Sequence, residues 1–222
     1  MSEKIVLVLA SNSPRRRQLL TLGGWMFHTT SADLDESRLP GEAPAAYVRR
    51  LARTKAQAVA SQARPESIII GADTAVVDGE DILGKPSNMA EAEAMLRRLR
   101  GRVHQVYTAI AVYRPADGAL LDDLCVTDVP MRAYTDDEIR AYVATGDPLD
   151  KAGGYAIQHR GFRPVETTLN GCYAGVMGMP MCHLVRTLKR WNILPQADVP
   201  RNCQQLLRFQ CPVYRPVLRG EQ

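Results

Sequence analysis

Aromatic residues are scarce in this sequence. Three Phe, two Trp and eight Tyr make up 6% of it, and they do not interleave with basic runs, so the stacking platform of a single-strand nucleic-acid binder is missing. Long apolar runs are missing too: nothing approaches the roughly 20 residues of a membrane span. The opening MSEKIVLVLAS is apolar only briefly and has neither the length nor the cleavage region of a signal peptide. Five cysteines (Cys125, Cys172, Cys182, Cys203 and Cys211) include no CxxC pair and leave one over. Reduced thiols in a cytoplasm fit this count better than a disulfide framework. The four histidines lack the spacing of a structural zinc site. There is no G-x-x-x-x-G-K-[ST] loop, which argues against a P-loop mechanism, and there is no internal repeat or low-complexity stretch. The expectation is a cytoplasmic protein that binds neither nucleic acid nor membrane.

The 222 residues are 45% apolar and 23% charged, enough for one large domain or two small lobes with an ample core. The net charge of +4 is mildly basic; it hints at an anionic ligand without requiring one. Strand-like and helix-like segments alternate, which favours an α/β architecture. Ile5–Leu9 reads as a buried strand. Ser13 and Pro14 read as the N-cap and first residue of a helix running to Leu22, with Gly23 and Gly24 as its stop. Residues 43–63 have helical spacing, with Val48, Leu51, Ala52, Lys55 and Val59 near one face. SIIIGADTAVV, residues 67–77, is a β-branched run with a Gly-Ala-Asp-Thr break in its middle. Asn88 and Glu91 resemble a capping box on a helix closed by Gly101. Residues 106–113 and 121–134 look like an antiparallel pair joined around Pro115–Gly118, and Thr135 with Glu138 caps a further helix through about Ala144. A last helix is expected from about Pro180. Residues 1–195 form the expected domain, and the proline-punctuated 196–222 an extended or partly disordered tail.

Several of these segments carry chemistry. Arg15, Arg16 and Arg17 fall in the first turn of a helix, at the positive end of its macrodipole, where cations are unfavourable by a few tenths of a kcal/mol each. They are either solvated surface groups or partners for a phosphate bound at the helix start. Asp73 follows three isoleucines, and a buried carboxylate is costly unless it pairs, holds a metal or works as an acid or base. Lys55, on the apolar side of its helix, must snorkel or find an anion. Lys85 lies before Pro86 on a rigid turn. Asp33, Asp35 and Glu36 form an acidic loop or, with Asp73, a site for a hard divalent ion. Gln158 follows two glycines on a loop from which it can read a base edge. Cations for phosphates and carboxylates for Mg²⁺ plus an activated water are the parts of phosphoanhydride hydrolysis.

LASNSPRRRQLL, GADTAVV, ILGKP, MLRRLRGRVHQVYTAIAV and DPLDKAGGYAIQ, in that order, resemble the Maf family of nucleoside triphosphate pyrophosphatases from about Ile5 to Leu194. The resemblance implies an α/β fold with a long mixed central sheet flanked by helices and two lobes around a cleft, similar to the inosine triphosphate pyrophosphatases. It places Ser11, Arg15 and Arg16 at the phosphate end of the cleft, Asp73 as general base, and Glu36, Lys55 and Lys85 at the other charged positions. A divalent cation, Mg²⁺ or Mn²⁺, held by Asp73 and Glu36, and a homodimer are implied as well. Arg16, Thr74 and Gln158 match the specificity positions of the branch acting on dTTP and UTP. The branch acting on 7-methyl-GTP, which tends to carry a tryptophan near Pro14–Arg16, is the alternative. A nucleotide-binding regulator of cell division without turnover is a second alternative. Arg100 and Asp147 depart from the family's usual serine and glutamate, and neither change removes a charged group of the expected site.

Overall fold

The run IIIGADTAVVD is too apolar and β-branched to be left at a surface. In the computed structural model of the protein, which describes residues 6–166 and 168–221, it is the central strand of a six-stranded mixed sheet. In chain order the elements are β1 (Leu7–Ala10), α1 (Pro14–Leu20), β2 (Phe27–Thr30), α2 (Pro44–Ala58), β3 (Ile68–Asp78), β4 (Asp81–Leu83), α3 (Met89–Leu99), β5 (Val103–Arg114), β6 (Ala119–Pro130), α4 (Asp136–Val143), α5 (Tyr173–Val176), α6 (Met181–Lys189), α7 (Val199–Leu207) and α8 (Tyr214–Arg219). The sheet order is β2-β1-β3-β5-β6, with β4 added beside β3. β1 runs parallel to both β2 and β3, while β5 is antiparallel to β3 and β6. This is the mixed sheet flanked by helices that the sequence leads one to expect.

Alternation along β3 divides the core between the two faces of the sheet. Ile69, Ala75 and Val77 pack under α2 with Val48, Ala52 and Ala56. Ile68, Ile70, Ala72 and Val76 face the larger cluster, built from α1, α3, α4 and α6. The expected break at Gly71–Thr74 does not occur: the strand is continuous. Gly71 is there for packing. A Cβ on it would lie 2.1 Å from the Ala52 carbonyl oxygen and 2.8 Å from the Ala56 nitrogen, so only glycine lets α2 lie this close to the sheet.

Local signals hold at several element ends. Ser13 caps α1, its side chain accepting from the Arg16 N–H, and Thr135 with Glu138 forms a complete capping box on α4. Asn88 caps α3, but the Glu91 carboxylate accepts from the Ser87 N–H and hydroxyl rather than completing the box. The hairpin strands β5 and β6 are twelve residues each; β5 is longer than expected at both ends, while β6 starts two residues earlier than expected and stops at Pro130 rather than Tyr134. α2 ends at Ala58 and gives way to a 3₁₀ turn at Ala60–Gln62. Of the expected first strand, Ile5 lies outside the described residues.

The tail is the main correction. Residues 199–207 and 214–219 are helices, not extended chain. Asp198 caps α7 by accepting from the Arg201 N–H, and Pro200 sits in the first turn, where a missing N–H costs nothing. Val199 is buried in the main core, and Val217 is also buried. The segment is tied back through the Gln196 N–H to the Gly23 carbonyl, the Trp25 indole to the Leu194 carbonyl, and the Asn202 amide to the Leu22 carbonyl.

Two buried histidines make stability pH-dependent. Burial pulls His104 and His183 down to about 4, and His104 Nε2 lies 2.7 Å from the Tyr155 hydroxyl. In the unfolded chain each binds its proton near pH 6.5, so below that pH the unfolded state holds more protons and stability falls as pH drops towards 4. Each histidine accounts for about 2 kcal/mol of loss by pH 5. Unfolding free energies from urea titrations at pH 7.5 and 5 are expected to differ less in His104→Gln than in the parent by about this amount; an equal difference would contradict the assignment.

Candidate active site

The site opens where β3 changes neighbours. On one edge β3 pairs with β5 through Ile69–Val77. On the other, β1 pairs with Ile68–Ile70 and β4 with Val76–Asp78. Among the described residues no strand covers Gly71–Ala75 on that edge. The turn from Ser11 to Ser13 and the start of α1 fill the rim of the gap, the strand-switch position where open α/β sheets bind ligands. A cavity of about 530 Å³ lies there. Ser11, Arg15, Arg16, Glu36, Lys55, Asp73, Thr74, Lys85 and Gln158 all line it, whereas the other candidates Arg17, Asp33 and Asp35 are not among its lining residues.

Successive residues of a strand point to opposite faces, and the gap exposes both. On the α2 face, Lys55 Nζ donates to Asp73 Oδ1 at 2.6 Å and pairs with Glu36 Oε1 at 2.7 Å. The Tyr47 hydroxyl, also on α2, donates to the Glu36 carbonyl and holds that loop against the helix. Asp73 is 5% exposed. Burial raises its pKa above the ordinary value, and the charges of Lys55 and Arg16 oppose that rise. The side chain is therefore a base of more than ordinary strength with its cation already in place.

On the other face stands Arg16. Its Nε donates to the Gly178 carbonyl at 2.9 Å, Nη2 to Thr74 Oγ1 at 3.2 Å, and Nη1 to Ser11 Oγ at 3.4 Å. Desolvation lowers its pKa, with Asp73 pulling the other way; a guanidinium stays charged at neutral pH all the same. Arg15 lies 3.9 Å from Asp150. Lys85 is exposed and has no ion-pair partner among the described residues. Gln158 is half-buried on the cavity wall.

Two further groups escaped the sequence reading of the site. Lys151 lines the cavity while anchored to Asp150 at 2.5 Å and to the Asp147 carbonyl at 2.6 Å. Thr108 is wholly buried behind Thr74. Its place follows from the β3–β5 register, in which Thr74 and Thr108 are partners. Five cationic side chains thus line the cavity against three carboxylates. The arrangement suits a polyanion at one end and a carboxylate base beside it.

The family profile described as Maf-like protein matches residues 6–191. The chain belongs to the Maf family. Curated relatives include the dTTP/UTP pyrophosphatase of Geobacter sulfurreducens, 48% identical over 193 residues, covering 86% of this chain and all of that one. Another is the dTTP/UTP pyrophosphatase of Escherichia coli O157:H7, 44% identical over 189 residues, covering 85% and 94%. Among solved structures, the dITP/XTP pyrophosphatase of Mycobacterium abscessus superposes with a TM-score of 0.44 at 12% identity over 98% of each chain. The match to the Maf profile stops just before the tail that carries α7 and α8.

The electrostatics of Asp73 give a direct measurement. In the nucleotide-free, chelator-treated protein, the Asp73 carboxyl ¹³C shift is expected to titrate above 3.8, the ordinary value. Lys55→Met removes a charge that favours the carboxylate, so it moves the midpoint further up. A midpoint below 3.8, or a downward move in the variant, would contradict this account.

Proposed function

We propose that this Maf protein hydrolyses dTTP and UTP to the monophosphate and pyrophosphate. The observation that carries the reading is the Lys55–Asp73 pair, buried at the floor of a cleft that five cations line. The names of relatives at 44–48% identity support it independently.

In the mechanism Arg15, Arg16 and Lys85 take the phosphates, with Ser11 at the turn before α1. Asp73 Oδ takes a proton from the attacking water as its oxygen bonds to the α-phosphorus. The bond from the α-phosphorus to the bridging oxygen breaks, and pyrophosphate leaves with its new charge beside the cations. Lys55 orients Asp73 and keeps its carboxylate ionised. Arg16, Thr74 and Gln158 lie where they can meet the base.

Asp73 and Glu36 are the residues that would hold a divalent cation. Their oxygens converge on one point, Lys55 Nζ, and among the described residues no group of three or more His, Cys, Asp or Glu is placed to hold a metal. Two carboxylates are the donor chemistry that a hard divalent ion such as Mg²⁺ or Mn²⁺ would take. Such an ion would supply Lewis-acid polarisation of the phosphates. A homodimer in the cytoplasm belongs to the same reading.

Asp73→Asn is expected to lower turnover by about 100-fold or more while nucleotide affinity changes by only a few-fold. Pyrophosphate release with Mg²⁺ or Mn²⁺ across dTTP, UTP, CTP, GTP and 7-methyl-GTP tests both claims. Undiminished turnover in Asp73→Asn overturns the mechanism, and preferential release from 7-methyl-GTP overturns the substrate.

A further inference from the structure

Behind Thr74 runs a chain of hydrogen bonds whose direction is settled by its two ends. Arg16 Nη2 lies 3.2 Å from Thr74 Oγ1, Thr74 Oγ1 lies 3.0 Å from Thr108 Oγ1, and Thr108 Oγ1 lies 2.8 Å from the Gly175 carbonyl oxygen. A guanidinium only donates and a carbonyl only accepts, while each hydroxyl has one hydrogen and two lone pairs. Thr108 must give its hydrogen to Gly175, because otherwise two oxygens would meet lone pair to lone pair at 2.8 Å. The hydrogen between the two hydroxyls is then that of Thr74. The carbonyl at the end is itself fixed, since it also accepts from the Gly178 N–H at 2.8 Å.

The count for Thr74 is therefore complete on one side and open on the other. Its hydrogen is committed to Thr108, and one lone pair is taken by Arg16. The remaining lone pair belongs to a half-buried side chain on the cavity wall. Thr74 has no hydrogen left to offer a ligand.

We infer that Thr108 is a positioning residue for base choice: by taking the hydrogen of Thr74 it makes Thr74 an obligate acceptor, which, set against N3 of a pyrimidine, selects a base with a hydrogen on that nitrogen. Uracil and thymine carry a hydrogen on N3, and cytosine has a lone pair there. This rests on the pyrimidine triphosphate reading above and deepens it by naming what rejects cytosine. Thr108 is 0% exposed, so it acts through Thr74. The same chain ties base choice to α5, since Gly175 lies in that helix and Gly178, which accepts from Arg16 Nε, follows it closely.

The test is the ratio of kcat/KM for UTP over CTP. Thr108→Val keeps the shape and removes the acceptor, so the Thr74 hydroxyl is free to turn and donate to cytosine N3. The ratio is expected to fall about tenfold or more, and Thr108→Ser is expected to restore it. In a Thr74→Val background, Thr108→Val is expected to leave the ratio unmoved, because the effect passes through Thr74. Should Thr108→Val not fold, Thr108→Ala removes the same oxygen and reads the same ratio. A parent selective for UTP whose ratio is unchanged in the folded variant overturns this inference and leaves the proposed function standing. A parent indifferent among UTP, dTTP and CTP overturns the dTTP/UTP preference and this inference with it.

Discussion

The structure is organised around a carboxylate in a place that does not suit it. Folding raises the pKa of Asp73 through burial. The native state thus holds that proton more tightly than the unfolded chain does, and stability is lost as pH rises from the unfolded value through the raised one. At neutral pH the ionised Asp73 is tolerated because Lys55 meets it at 2.6 Å, and Lys55 reaches it because Gly71 lets α2 approach the sheet. An ionised base costs stability here, and the parts that offset that cost are the parts that position it.

Sequence chemistry exposed the anomalies, and the fold alone paired them. A lysine on the apolar side of a helix and an aspartate inside an isoleucine run are both visible in the chain. That they answer one another is visible only once α2 crosses β3. The Ser13 cap was legible because its two partners are three residues apart. Thr108 was not, because its meaning depends on a cross-strand register spanning 34 residues. The Gly-Ala-Asp-Thr stretch was misread as a break in the strand; what breaks there is the pairing on one edge, where β1 ends and β4 has not begun.

The tail failed for a different reason. Periodicity arguments need several buried positions per helix, and α7 and α8 bury one each, Val199 and Val217. Their prolines looked like breakers, yet Pro200 and Pro216 lie in first turns. Hydrogen bonds to the Leu22 and Gly23 carbonyls hold the approach to this segment, and these join residues about 170 to 180 apart in the chain. Such contacts leave no local signature.

The two-residue repeat of a β-strand has a further bearing on how such a protein can change. Asp73 and Thr74 are neighbours in the chain but project from opposite sides of the sheet, the first towards Lys55 and Glu36, the second towards Arg16 and Thr108. Substitutions behind Thr74 can therefore drift without disturbing the carboxylate, so substrate preference and bond cleavage are free to diverge separately within one scaffold. An inserted or deleted residue in this strand would do the reverse. It would exchange the two faces at a stroke, setting the carboxylate among the threonines and the hydroxyl before the lysine.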